Sequence, residues 1–234
     1  MKVDLKQDIH SVLKKYWGFV SFRPTQEDII LSVINKHDTL ALLPTGGGKS
    51  LCFQVPSIIL GGTCLVVSPL ISLMNDQVQS LKRRGLSAVA ISAAMTFKEI
   101  EVALNNAAFG HVQFLYISPE RLQNETFRQK LSHLPITLIA VDEAHCISQW
   151  GYDFRPSYMK ISEIREYFSD VKIIALTASA TKEVVEDIQV QLAFKNQKVF
   201  RQSFVRQNLR YVVQKEENKA ARLLELIASI GGSG

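Results

Sequence analysis

Short apolar runs alternate with longer amphipathic stretches along most of this chain. The runs are TLALL (39–43), TCLVVS (63–68), AVAIS (88–92), QFLYIS (113–118), TLIAVDE (137–143) and KIIALTA (172–178). They are rich in β-branched residues and apolar at successive positions, as strands covered on both faces must be. Between them, residues 50–60, 70–84 and 97–108 have helical composition. KEVVEDIQVQL (182–192) sets Val184, Val185, Ile188 and Leu192 on one stripe, with Thr181 available as the N-cap. Strand and helix alternating in this way predict an α/β fold, a mostly parallel sheet with helices on both faces.

Three regions are expected. Residues 1–36 read as a polar helical segment that enters the first strand through a turn at HDT (37–39), and 37–214 read as the α/β lobe. Residues 215–234 read as a C-terminal helix from about Lys219 to Ile230, followed by GGSG, which suits a hinge, a linker or an expression remnant.

Composition adds bounds. A hydrophobic share of 47% and a charged share of 21% are those of a globular protein, not of a disordered chain or a fibre. The net charge of +5 fits a phosphate-bearing partner, although many proteins that bind no anion share it. Cys52, Cys64 and Cys146 form no C-x-x-C pair, so neither a zinc site nor a disulfide framework is expected, and a reducing compartment is. The charged opening MKVDLKQDIH lacks the apolar core of a signal peptide, and no run of about eighteen apolar residues follows. The expected protein is soluble, with no membrane partner, in a bacterial cytoplasm or nucleoid, or in a nucleus if eukaryotic.

Chemistry concentrates in two segments. LLPTGGGKS (42–50) lies between a strand run and a helical run, the context a phosphate-binding loop requires. Gly46, Gly47 and Gly48 let the backbone curl so that successive N–H groups face one phosphate, and Thr45 is a nucleotide-binding position of the same loop. Lys49 supplies charge to the outer phosphates, and Ser50 offers a hydroxyl to Mg2+ at a helix N-terminus. The strict pattern has glycine where Leu43 stands. LIAVDEAH (138–145) then puts two carboxylates at the end of a strand, where parallel sheets carry ligands. Successive side chains leave a strand on different faces, so Asp142 can hold the metal while Glu143 addresses the attacking water. His145 is placed to hydrogen-bond across such a site and sense its state. Coupling suits it better than metal ligation.

With these residues in view, the chain resembles the DEAH-containing RecQ family of superfamily-two helicases over nearly its whole length. The resemblance implies a RecA-like lobe that uses ATP and Mg2+. FVSFRPTQEDII (19–30) resembles the family's adenine motif, which implies that Phe19 stacks on the base while Arg23 and Gln26 bond its edge. VSPLISLMNDQV (67–78) and YISPERL (116–122) resemble two DNA-facing motifs, and imply phosphate contacts from Ser68, Pro69 and Ser118. A Ser-Pro pair by itself is an ordinary helix start.

SQWGYDFRPSY (148–158) resembles the aromatic loop that distinguishes RecQ enzymes. Trp150 and Phe154 offer flat surfaces to unstacked bases, and Arg155 can pair with a phosphate or stack. Such a cluster beside a glycine also suits a packed corner. Tyr152 stands where the family usually has histidine, and in LTASAT (176–181) Ser179 stands where it has threonine. The resemblance further implies that Gln149, Thr177 and Ser179 couple nucleotide state to DNA. Single-stranded and partly duplex DNA are the implied substrates, unwound in the 3′ to 5′ direction, and a second lobe beyond GGSG is the implied partner in cis. An RNA helicase of the same superfamily and a non-hydrolysing nucleotide-gated binding module are the alternatives.

Overall fold

A computed structural model describes residues 5–92, 94–203, 209 and 212–230. The GGSG segment lies outside the described residues. Two compact units divide the chain, Met1–Ser203 and Phe204–Gly234.

The first unit is built on a sheet of seven parallel strands among the described residues: β1 (Thr39–Leu42), β2 (Thr63–Val67), β3 (Ala88–Ile91), β4 (Phe114–Ile117), β5 (Ile136–Val141), β6 (Lys172–Thr177) and β7 (Lys198–Arg201). Their order across the sheet is β3-β4-β2-β5-β6-β1-β7. Helices α1 (Leu5–Trp17), α2 (Gln26–Ile34), α3 (Leu51–Leu60), α4 (Ile71–Arg83), α5 (Phe97–Ala108), α6 (Glu125–Leu131), α7 (Ile164–Tyr167) and α8 (Lys182–Gln191) connect and cover it, with short 3-10 turns after β4 and β5.

Alternation along the strands sorts the core into two layers. Leu40, Leu42, Leu65, Val67, Ile139 and Val141 point to one face with residues of α5, α6 and α8. Ala41, Leu43, Val66, Tyr116, Ala140 and Leu176 point to the other with residues of α2, α3 and α4. Both faces are therefore dry, which is why the strand runs are apolar throughout. The stripe expected on α8 is buried in the first layer, and Thr181 caps that helix by accepting from the Val184 N–H.

Two boundaries differ from expectation. Ile9 of α1 and Ile30 of α2 share a buried cluster with Val55 of α3, so residue 36 is no packing boundary. The first unit ends at Ser203 rather than 214, because β7 adds to the free edge of β1. This strand has no apolar-run signature in the sequence, because KVFR is short and mostly exposed.

HDT is more than a turn. Asp38 is fully buried and organises one end of the sheet. Its carboxylate accepts from the Ile173 N–H at 2.8 Å, the Lys195 N–H at 2.6 Å and the Arg165 guanidinium at 2.5 Å. One side chain thus ties β1, β6 and the approach to β7.

The second unit contains α9 (Lys219–Ile230), capped by the Asn218 side chain. No helix among the described residues is long and apolar enough to cross a membrane.

Candidate nucleotide and nucleic-acid site

Four neighbouring strands, β2, β5, β6 and β1, bring their carboxyl ends to one edge, and the predicted site residues follow them. Lys49 and Ser50 come after β1, Thr177 ends β6, Asp142 and Glu143 follow β5, and Ser68 follows β2. Ligands of parallel sheets bind at such an edge.

The loop after β1 is curled as its glycines allow. Gly46 and Gly48 have φ of 77° and 76°, which side-chain-bearing residues rarely adopt. A Cβ on Gly47 would lie 2.7 Å from the Pro44 carbonyl oxygen, against which the loop turns through a Gly47 N–H bond of 2.8 Å. Gln26 grips this curl from outside, its Nε2 donating to the Gly47 and Gly48 carbonyls at 3.1 Å each while Oε1 accepts from the Arg23 N–H at 2.9 Å. Arg23 donates to the Gly46 carbonyl. In a trans peptide the N–H points opposite to the C=O, so the Gly48 and Lys49 N–H groups turn away from Gln26, toward the space a phosphate would take. Arg23 and Gln26 therefore touch the loop itself, while Phe19 is 54% exposed. Thr45 is also exposed.

Lys49 Nζ stands 3.9 Å from Glu143 Oε1, both side chains being partly buried. Glu143 occupies the left-handed region, φ 46° and ψ 47°, where a non-glycine residue costs of order 1 kcal/mol or more. At this kink its carboxylate faces Lys49 and His145. Asp142 points elsewhere, its Oδ2 accepting from Ser68 Oγ at 3.4 Å and its Oδ1 from the Glu143 N–H at 3.0 Å. Burial and the neighbouring Glu143 charge raise the Asp142 carboxyl above the usual range.

His145 Nδ1 lies 2.9 Å from Thr177 Oγ1 and 3.3 Å from Glu143 Oε2. Thr177 donates its own proton to the Ser179 carbonyl at 3.1 Å, so its oxygen accepts from an Nδ1–H. Burial lowers the imidazole below its ordinary pKa, which favours the neutral ring. The chain Glu143–His145–Thr177–Ser179 therefore crosses from the end of β5 to the end of β6.

The aromatic loop folds over this chain. Tyr152 stacks on His145 with ring centroids 5.0 Å apart and planes 21° from parallel. A Cβ on Gly151 would come within 2.8 Å of the His145 carbonyl oxygen, so the loop closes tightly there. Arg155 pairs with Asp153 at 3.1 Å, and Asp153 also receives the Cys146 thiol at 3.6 Å. Burial pushes that thiol up to about 12, as it does for Cys52 and Cys64, which disfavours the thiolate in all three. Trp150 is 76% exposed and Gln149 is exposed, while Phe154 is half-buried. Of the two Ser-Pro segments, Ser68 is buried with its hydroxyl on Asp142, whereas Ser118 is half-buried ahead of a 3-10 turn. Sequence reasoning missed Tyr158, whose buried hydroxyl donates to the Asp142 carbonyl at 2.9 Å, because one tyrosine among several carries no signal of its own.

Residues 23–188 match the family model described as DEAD/DEAH box helicase, and that stretch holds the loop, both carboxylates and the aromatic segment. The chain belongs to the DEAD/DEAH box helicase family. Among curated relatives in that family, it is 41% identical over 230 residues to the probable ATP-dependent DNA helicase RecS of Bacillus subtilis, covering 97% of this chain and 46% of that protein. It is 40% identical over 234 residues to the ATP-dependent DNA helicase RecQ of Haemophilus influenzae, covering 100% of this chain and 38% of the relative. The chain thus spans less than half the length of these two proteins. The crystal structure of the Hef helicase domain from Pyrococcus furiosus superposes with a TM-score of 0.59 at 24% identity, covering 76% of this chain and 37% of that one. This DEAD/DEAH helicase chain therefore has the RecA-like sheet expected from its alternating pattern.

Proposed function

We propose that the chain is the first RecA-like lobe of a RecQ-type ATP-dependent DNA helicase that translocates 3′ to 5′. One observation carries the reading: Lys49 and Glu143, remote in sequence, face each other at 3.9 Å across the carboxyl edge of the sheet. A lysine at a glycine-rich loop and a carboxylate free of the metal position are the two groups that phosphoryl transfer needs on this side of the nucleotide.

In this reading Lys49 and the N–H groups of the loop hold the triphosphate. Mg2+, taken by Ser50 and Asp142, would offset charge on the outer phosphates. Glu143 orients the attacking water, and His145, whose Nδ1 lies between Glu143 and Thr177, reports the state of Glu143 to Thr177 and Ser179. Phe19 stacks on adenine. Gln26 has both amide protons engaged by the loop carbonyls, so donating to the base requires it to release part of the loop, whereas its carbonyl oxygen, with one bond made, can still accept from the base. Trp150, Phe154 and Arg155 take single-stranded DNA by stacking and phosphate contact, Pro69 and Ser118 add further DNA contacts, and Gln149 takes part in the coupling. Buried Ser68 acts from behind, through Asp142. The relatives' greater length supports a second lobe that completes the ATP site with an arginine, so this lobe alone turns over slowly.

The test is a pair of measurements on the Glu143→Gln variant, joined to the second lobe: affinity for a fluorescent ATP analogue, and ATP turnover with and without single-stranded DNA. Retained binding with turnover reduced by about 10²-fold or more is expected. Unchanged turnover removes Glu143 from its role, and stimulation by RNA alone reassigns the substrate.

A further inference from the structure

Gln77 lies on α4, and its amide binds three residues, two at α3 and one on β4. Its Nε2 donates to Ser50 Oγ at 2.8 Å. Its Oε1 accepts from Gln54 Nε2 at 3.0 Å and from the Tyr116 hydroxyl at 3.3 Å. Gln54 and Tyr116 are 5% and 1% exposed, so the acceptor end of the amide is held by two donors shut away from water. With that end occupied, the NH2 end is committed to Ser50.

The state of Ser50 is unusual for its place. It occupies the N-cap position of α3, where a serine hydroxyl ordinarily folds back to accept a backbone N–H, and here it makes no such bond. Its backbone is already helical, φ −61° and ψ −34°, which turns the side chain away from the capping geometry. The hydroxyl is instead tied sideways to α4. One of its two lone pairs accepts from Gln77, so the rotor is fixed and the other lone pair has a set direction.

We propose that Gln77 is a positioning residue for the nucleotide site: it holds the Ser50 hydroxyl off the helix end and aims its free lone pair at the divalent cation that accompanies the triphosphate. This rests on the reading of Ser50 as a metal ligand. The same amide connects Ser50 to α4, which begins just after Ser68 and Pro69, and to Tyr116, two residues before Ser118. Displacement of either strand-end segment therefore tilts the hydroxyl.

The experiment measures affinity for a fluorescent ATP analogue across a Mg2+ titration, for the unaltered chain, Gln77→Met, Ser50→Ala and the double variant. Gln77→Met is expected to keep its Mg2+-free affinity while needing ~3–10-fold more Mg2+ for half-maximal enhancement, the effect of one lost hydrogen bond. Beside Ser50→Ala the same substitution is expected to add nothing, since the residue it acts through is gone. An unchanged Mg2+ requirement, or an equal rise in both backgrounds, overturns the proposal. Should Gln77→Met fail to melt cooperatively, Tyr116→Phe takes its place, since it removes one donor holding the amide. A shift of ~2-fold in the same direction, lost beside Ser50→Ala, supports the proposal and no shift overturns it. An unaltered chain that binds nucleotide without any response to Mg2+ instead overturns the reading of Ser50 as a ligand, before any variant is compared.

Discussion

Glu143 carries both the proposed chemistry and a strained backbone, and the two are connected. An extended residue there would continue the alternation of faces set by β5, whereas at the left-handed kink the carboxylate lies 3.9 Å from Lys49 and 3.3 Å from His145. Replacing Lys49 with alanine removes the ammonium that stands 3.9 Å from this carboxylate and is expected to abolish both nucleotide binding and turnover, read by the same fluorescence titration. His145 gives a pH signature. Burial holds its folded pKa below the ordinary 6.5, so the unfolded chain binds that proton more readily. Its contribution to stability is complete above about pH 6.5 and is lost as the pH falls through the lower folded value. Asp142 runs the opposite way, because its raised pKa makes its contribution complete below the ordinary 3.8 and lost as the pH rises through the folded value. His145→Gln is therefore expected to flatten the loss of stability just below about pH 6.5, as followed by urea unfolding. A slope unchanged by the substitution assigns the loss to other groups.

At the scale of elements, the strands that carry the site are held from the opposite end of the sheet. The Asp38–Arg165 pair is buried, with side-chain exposures of 0% and 8%, and its charges are desolvated together. Removing one partner leaves the other without compensation, at a cost of about 3–5 kcal/mol. Asp38→Ala also strands the Ile173 and Lys195 N–H groups, so the loss belongs at the upper end of that range; chemical denaturation measures it. The apolar strand runs and the α8 stripe were legible because burial on both faces of a parallel sheet leaves its mark on every position. β7 was not, because an exposed edge strand of four residues needs no apolar pattern. Asp38 was not, because a carboxylate beside a histidine and a threonine looks like any turn until the guanidinium 127 positions away is brought to it.

For the molecule as a whole, the lobe is one part of a machine in the proposed reading, and its output depends on what lies across the nucleotide. ATP turnover stimulated by single-stranded DNA is expected to rise ~10³-fold or more when the chain is extended to the length of its relatives, as a supplied arginine does in other phosphoryl-transfer systems. Equal rates with and without the extension contradict a two-lobe site. In the extended protein, Trp150→Ala is expected to leave basal turnover in place and remove the stimulation by DNA, because Trp150 is 76% exposed and supports no core. If stimulation survives, the loop serves only to pack over His145.

The sequence by itself determined the α/β class, the glycine-rich loop after β1 and the acidic pair at the end of β5. Each of these is written locally, in the period of apolar residues, in glycines where the backbone must curl, and in carboxylates at the end of a strand. Only the tertiary structure decided that Ser68 backs Asp142, that Gln26 grips the loop, that Tyr152 covers His145, and that Gln77 holds Ser50. Those contacts join residues far apart in the chain through short polar side chains whose partners are chosen by the strand order β2-β5-β6-β1 and the helices packed on it. Hydrogen bonds of that kind leave no periodicity behind, so they exist only once the sheet has brought its carboxyl ends together.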